Sequence, residues 1–314
     1  MHSVLFIDTV HPLIREGLTA MGFECDMRPE AGREELMPVA DRYTGIIIRS
    51  RFRLDQAFLE KAGSLKFIAR VGAGMENIDV DYAVRRGIRC LNSPEGNRDA
   101  VGEHALGMLL SLMDHIVVAD RQVRYGHWLR EANRGDEIKG KTVGIIGYGN
   151  MGSAFSQRLK GFEANVISYD KYKKDYSDGN TRETAMEELF EECDILSLHI
   201  PLTEETDGMV DDAFLKRFRK NIRLINTARG KIVRTGDLVK NMVSGKVIGA
   251  ALDVLEYEDT SFEALAEDLP AELSYLTASD RVILTPHIAG WTHESNIKLA
   301  TVLVEKIRTL VPSL

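Results

Sequence analysis

At 314 residues the chain is long enough for two domains of about 150 residues each. Hydrophobic residues make up 44% and charged residues 28%, which excludes a disordered chain. With 48 acidic against 40 basic residues the net charge is −8, which argues against a general nucleic-acid binder; no apolar run reaches the roughly 20 residues that span a bilayer.

The opening MHSVLFIDTVHP lacks a basic n-region and carries Asp8 in its apolar stretch, so it reads as a β-strand rather than a signal peptide. Cys25, Cys90 and Cys193 form no CxxC pair and read as reduced thiols. Neither a metal site nor a membrane partner is expected, and a cytoplasmic location follows. SVLFIDT, GIIIRS, LKFIARVG and RCLNS are strand candidates separated by helical stretches. The run Gly45 to Ile48 is continuously apolar, as in a parallel strand covered on both faces. The first hundred residues therefore read as one α/β unit.

The spacing of Val101, Ala105, Leu109, Leu112 and Ile116 predicts one long helix from Arg98 to about Tyr125, followed by a polar loop from His127 to Gly140. A second series then supplies six strand candidates, KTVGIIG, NVISYD, DILSLHI, IRLINT, VIGAALDV and RVILTP. Six strands with intervening helices match a doubly wound dinucleotide-binding fold. A last helix runs from about Glu294 to Leu310, and the chain ends directly after it, which implies no further regulatory domain.

Gly147-Tyr148-Gly149-Asn150-Met151-Gly152 is a GxGxxG placed after an apolar strand and before a helical pattern. Gly147 permits the tight turn, Gly149 admits a pyrophosphate to the backbone, and Gly152 lets helix and strand pack closely. The amide groups at the helix start bind phosphates. Asp170 ends the next strand, where a carboxylate can accept ribose hydroxyls and repel a 2′-phosphate, so NAD is favoured over NADP, although Lys171, Lys173 and Lys174 follow closely. The loop Val71-Gly72-Ala73-Gly74 has Asn77 in place of a third glycine. Gly72, Ala73 and Gly74 could instead present N–H groups to a small anion such as a carboxylate.

Arg229, Glu258 and His287 follow three successive strands of the second series. In open α/β sheets ligands bind beyond the carboxyl ends of the strands. An arginine there can clamp a carboxylate, a histidine can move the proton that accompanies hydride transfer, and a glutamate can hold the imidazole. Singly, each reads more readily as an ordinary residue: Arg229 as a surface salt-bridge partner, Glu258 as one of many acids in YEDTSFEALAED, and His287 as a strand-end hydrogen-bonding residue.

GIIGYGNMG, HIPLTEET, INTARG, GAALDVLEYE, ILTPHIAGWT, VGAGMENID and GEHALGMLL together resemble the D-isomer-specific 2-hydroxyacid dehydrogenase family over nearly the whole chain. The resemblance implies two doubly wound parallel-sheet domains. One is a flavodoxin-like substrate domain of residues 1–97 plus 292–314, and the other a Rossmann NAD-binding domain of residues 98–291. It implies Arg229 as substrate binder, Glu258 as partner acid and His287 as general acid/base. It further implies cofactor contacts from Asn150, Met151, Asp170, Pro201, Thr206, Thr227, Ala228, Asp253 and Gly290, and a homodimer built around the long helix, His127 and Trp128. Two departures stand out: Asp259 replaces the usual Pro, which sets Glu256 against Glu258 for the catalytic register, and Glu76 replaces the usual Asp. Some relatives are nucleotide-sensing corepressors that keep the trio, so the trio does not exclude a binding protein.

GIIIRSRFRLD places Arg49, Arg51 and Arg53 at alternate positions, on one side of an extended chain. The stretch IIRSR is similar to the segment of phosphoglycerate dehydrogenases whose arginines contact the substrate phosphate. It implies 3-phosphoglycerate as substrate, with Arg49 and Arg51 binding its phosphate. The alternative is glyoxylate or hydroxypyruvate reduction, which needs no phosphate site.

Overall fold

The computed structural model describes residues 2–258 and 270–313. They divide into two compact units, residues 2–98 with 291–313 and residues 99–258 with 270–290. Asp259, the departure noted above, lies outside the described residues.

The first unit carries strands β1 (Ser3–Phe6), β2 (Glu24–Met27), β3 (Gly45–Ile48), β4 (Phe67–Arg70) and β5 (Arg89–Leu91), all parallel, in the order β2-β1-β3-β4-β5. This is the flavodoxin-like order. Alternation along the strands feeds two apolar layers. Leu5, Ile46, Ile48 and Ile68 pack with Phe58 and Leu59 on one face. Val4, Phe6, Ile47 and Phe67 pack with Leu303, Val304 and Ile307 of the C-terminal helix His293–Leu310 on the other. That helix lies close against helix Pro12–Ala20: a Cβ on Gly17 would stand 2.6 Å from Val304 Cγ1. Strand β2 was not expected; its ECDM segment is polar and only half buried, so no apolar run marks it.

The second unit carries β6 (Thr142–Ile146), β7 (Asn165–Tyr169), β8 (Thr181–Glu183), β9 (Ile195–Leu198), β10 (Ile222–Asn226), β11 (Val247–Leu252) and β12 (Val282–Leu284). They form one parallel sheet in the order β12-β11-β10-β9-β6-β7-β8. The chain runs outward from β6 to β8, then restarts at β9 on the other side of β6, the reversal that opens a crevice at the carboxyl ends. All six expected strands are present; β8, three residues long and without an apolar run, is additional.

The single long helix expected from Arg98 to Tyr125 is two helices, Pro94–Met113 and Ile116–Arg124, bent by 61°. His115 between them has φ +53°, a left-handed conformation that ends a helix. Val101, Ala105, Leu109 and Leu112 are buried as the spacing predicts, whereas Ile116, beyond the break, is 51% exposed. No single described helix is long and apolar enough to cross a membrane.

Candidate active site

The cofactor loop occupies the turn after β6. Gly147 has φ +91°, and a Cβ there would stand 2.5 Å from the His199 carbonyl oxygen; a Cβ on Gly152 would stand 2.0 Å from Gly147 O. A Cβ on Gly149 would meet nothing within 4 Å, so bare backbone faces open space at the position expected to receive a pyrophosphate. Gly149 caps helix Asn150–Leu159 without a side-chain hydrogen bond, and the first turn holds no acid. The Asn150 and Met151 amides thus open an anion-receptive helix start. These residues fit a dinucleotide pyrophosphate.

Asp170 follows β7. Its Oδ2 accepts from Tyr148 N (2.8 Å), and its Oδ1 from Tyr172 N (2.9 Å) and Lys173 N (3.0 Å). Burial alone would raise its pKa, but those three donations outweigh it and hold the carboxylate below its ordinary range. Three of about four acceptor positions are thereby committed to the loop. After β9, Thr206 Oγ1 donates to Pro201 O (2.7 Å), folding the HIPLTEET turn. After β10, Asn226 shapes the next loop: its Oδ1 accepts from Ala228 N (3.0 Å) and its Nδ2 donates to Arg229 O (2.9 Å). The neighbouring Thr227 Oγ1 is buried and has no protein partner, a polar atom in want of a ligand.

The Arg229, Glu258 and His287 loops follow β10, β11 and β12, three adjacent strands. Glu258 Oε2 lies 2.7 Å from His287 Nδ1, and Glu258 Oε1 accepts from Leu255 N at 2.5 Å. Both carboxylate oxygens are engaged, so the imidazole meets an acceptor on a fixed arm, with Nδ1 as donor and Nε2 turned away from it. Glu256 instead accepts from Thr235 N (2.8 Å), so the partner of His287 is Glu258. Arg229 donates from Nη1 to Ala228 O (2.6 Å).

Asp253, 1% exposed, ties the His287 loop down. Its Oδ1 accepts from Ile288 N (2.9 Å) and Thr285 Oγ1 (2.6 Å), and its Oδ2 accepts from Ala289 N (2.8 Å). His104 Nε2 adds a contact to Thr285 Oγ1 at 3.1 Å. Gly290 ends this unit.

In the first unit, Gly72 has φ +146°, and Gly72 O and Ala73 O accept from Ser93 N (2.8 Å) and Asn92 Nδ2 (2.6 Å). No described acceptor meets the Ala73 and Gly74 N–H groups, which suits an incoming carboxylate. Arg49 and Arg51 depart from expectation. Strand β3 stops at Ile48, and Asp8 Oδ2 gathers the N–H groups of Arg49 (2.6 Å), Ser50 (3.2 Å) and Arg51 (3.5 Å). The segment is a bend, so the alternation argued for an extended chain does not apply.

Sequence reading missed Arg70, whose Nη1 would stand 1.6 Å from a Cβ on Gly72 and whose Nε donates to Arg49 O (3.1 Å). It also missed Gly230, where a Cβ would stand 1.8 Å from Leu255 O. The adjacency of INTARG and LDVLEYE on paired strands was the available signal for Gly230. Thr285 and His104 carried none.

Residues 106–289 match the profile of the D-isomer specific 2-hydroxyacid dehydrogenase NAD-binding domain. The chain is 33% identical over 308 residues to a D-3-phosphoglycerate dehydrogenase of Archaeoglobus fulgidus, covering 96% of this chain but only 56% of that protein. It is 35% identical over 275 residues to a hydroxypyruvate reductase of Thermotoga maritima, covering 88% of this chain and 87% of that protein. A D-lactate dehydrogenase from Aquifex aeolicus, solved with NAD and lactic acid, superposes with a TM-score of 0.84 at 27% identity, covering 99% of this chain and 96% of that one. The chain belongs to the D-isomer-specific 2-hydroxyacid dehydrogenase family, and residues 106–289 are its NAD-binding domain.

Proposed function

We propose that the protein interconverts a D-2-hydroxy acid and its 2-oxo acid with NAD. The observation that carries this is the 2.7 Å pair of His287 and Glu258 beside the strand that bears Arg229. In the reducing direction NADH, when bound, supplies a hydride to the carbonyl carbon. His287 gives a proton to the carbonyl oxygen from Nε2, Glu258 stabilises the imidazolium before that step, and Arg229 clamps the carboxylate. The Gly147–Gly152 turn and the helix it opens take the pyrophosphate, and Asp170 meets the adenosine ribose. Pro201, Thr206, Thr227, Ala228, Asp253 and Gly290 line the remaining cofactor path, and Gly72 to Gly74 receive the substrate carboxylate.

The substrate of this reading is 3-phosphoglycerate, oxidised to 3-phosphohydroxypyruvate toward serine, with Arg49 and Arg51 on the phosphate. The Archaeoglobus relative favours it, while the Thermotoga relative favours hydroxypyruvate reduction as the second reading. Assays of NADH oxidation with phosphohydroxypyruvate, hydroxypyruvate and glyoxylate separate them. Loss of a charge-assisted phosphate contact of about 1.5–3 kcal/mol in Arg51→Ala lowers kcat/KM for the phosphorylated substrate roughly 10- to 100-fold and that for hydroxypyruvate hardly at all. A wild type that prefers hydroxypyruvate defeats the phosphate assignment. Absence of turnover with every oxo acid favours a corepressor-like binding protein. The same reading makes the protein a homodimer through Val117, Tyr125 and Trp128, which are 50%, 77% and 77% exposed. A monomer mass by light scattering at all concentrations refutes that.

A further inference from the structure

Trp291 is a large aromatic residue left 64% exposed. The next residue, Thr292, caps the C-terminal helix: its Oγ1 accepts from Ser295 N, and Ser295 Oγ accepts from Thr292 N, both at 3.0 Å. The indole therefore stands on a fixed post, and the guanidinium carbon of Arg49 lies 4.1 Å from its ring centroid. The main chain of Arg49 is held from two sides, its N–H by Asp8 (2.6 Å) and its carbonyl by Arg70 Nε (3.1 Å) and Asn77 Nδ2 (3.4 Å). Because Asp8 takes the amide groups of this bend, what the bend offers an anion is side chains.

The geometry points to Trp291 as a specificity-determining residue that sets the plane of the Arg49 guanidinium for a second anionic group on the substrate, a phosphate ester or carboxylate distal to the reacting carbon. Stacking engages the flat face of a guanidinium and leaves its N–H donors in plane, the arrangement that grips an oxyanion with two parallel bonds. An arginine on a flexible stem would have to be ordered on binding; one already stacked loses less. This inference rests on the proposed reading for its substrate, but its binding test does not.

The chain has two tryptophans, so Trp128→Phe leaves Trp291 as the sole indole. Inorganic phosphate titrated into that protein, against chloride at equal ionic strength, changes the Trp291 emission, and Arg49→Gln in the same background abolishes the change. No response in the parent, or the same response in Arg49→Gln, overturns the inference. In turnover, Trp291→Leu lowers the ratio of kcat/KM for phosphohydroxypyruvate over hydroxypyruvate by about two- to fivefold, and Trp291→Phe retains more of that ratio. Equal losses on both substrates also overturn the inference. A wild type that prefers hydroxypyruvate while the phosphate response survives defeats the phosphoglycerate reading and leaves the Trp291–Arg49 pair standing.

Discussion

Asp253 holds His287 from behind: its carbonyl accepts from His287 N at 2.7 Å, while its carboxylate takes the next two amides, Ile288 N and Ala289 N. His287 needs that grip, because its φ of +54° is a conformation non-glycine residues adopt at a cost. Burial pushes the Asp253 pKa up, but His104, Thr285 and the two amides bring it below its ordinary value, so it stays ionised and acceptor-only. Asp253→Asn sets an amide NH2 against an N–H donor, which costs about 1–3 kcal/mol and lowers Tm by several degrees. We expect kcat to fall with it. The stabilisation from a depressed carboxylate is present above its unfolded value, near 3.8, and is lost as pH falls through the lower folded one. An Asp253→Asn variant with wild-type Tm at pH 7 and wild-type kcat contradicts this account.

Glu258→Gln keeps the shape of the side chain and removes the carboxylate charge that faces His287 Nδ1 at 2.7 Å. Positioned acid–base groups contribute about 10²–10⁴-fold, so kcat should drop on the order of 10²-fold while the Kd for NADH changes little. His287→Ala should abolish turnover and likewise spare NADH binding. Stopped-flow reduction and a fluorescence titration of NADH separate the two quantities, and undiminished kcat in either variant sinks the acid–base assignment.

The sheets were readable because their strands are apolar runs bounded by turn residues. Gly45–Ile48 is buried at all four positions, as continuous hydrophobicity demands of a strand covered on both faces. Strands β2 and β8 escaped because edge strands need no such run. The helix break at His115 escaped because no Gly or Pro marks it, and the apolar period continues through it. The Gly147–Gly152 turn was legible from its glycines: Gly147 and Gly152 each stand where a Cβ would strike backbone, and Gly149 leaves bare backbone facing open space. Glu258 and Glu256 could be separated only by contacts, one with His287 and one with Thr235 N. The bend at Arg49 depends on Asp8, 41 residues away, and a local periodicity argument has no access to such a partner.

His199 provides a pH test that needs no substrate. It lies half-buried beside Phe155 with its Nδ1 shielded from solvent, its Nε2 lies 2.8 Å from Ser197 Oγ, and this burial presses its pKa down to about 3. The unfolded chain takes up this proton near pH 6.5, while the folded chain refuses it until about 3. Stability is therefore full above 6.5 and declines as pH falls from there toward 3, by up to about 1.4 kcal/mol per pH unit. His199→Gln removes this titration, so its urea midpoint should fall less than that of wild type between pH 6.5 and 5. Parallel midpoints across that window mean His199 is protonated in the folded protein.

Gly230 joins the arginine loop to the glutamate loop. A Cβ there would lie 1.8 Å from Leu255 O, 2.0 Å from Leu255 C and 2.6 Å from Glu256 N, all backbone atoms without a rotamer to yield. Gly230→Ala must therefore displace the segment after β11, where Leu255 N holds Glu258 Oε1 and Glu256 caps Thr235 N. Overpacking of this kind costs about 1–3 kcal/mol, and misplacing a reacting group by about 1 Å can cost 10²-fold in rate. We expect kcat to fall by at least about tenfold while NADH affinity, which the proposed reading assigns largely to the loops after β6 and β7, changes far less. Gly236→Ala is the control: it lies in helix Thr235–Val243, its Cβ would meet nothing nearer than 3.9 Å, and it should be neutral or stabilising by about 0.4–1 kcal/mol. If both alanine variants retain wild-type kcat and Tm, the two loops are not packed as described.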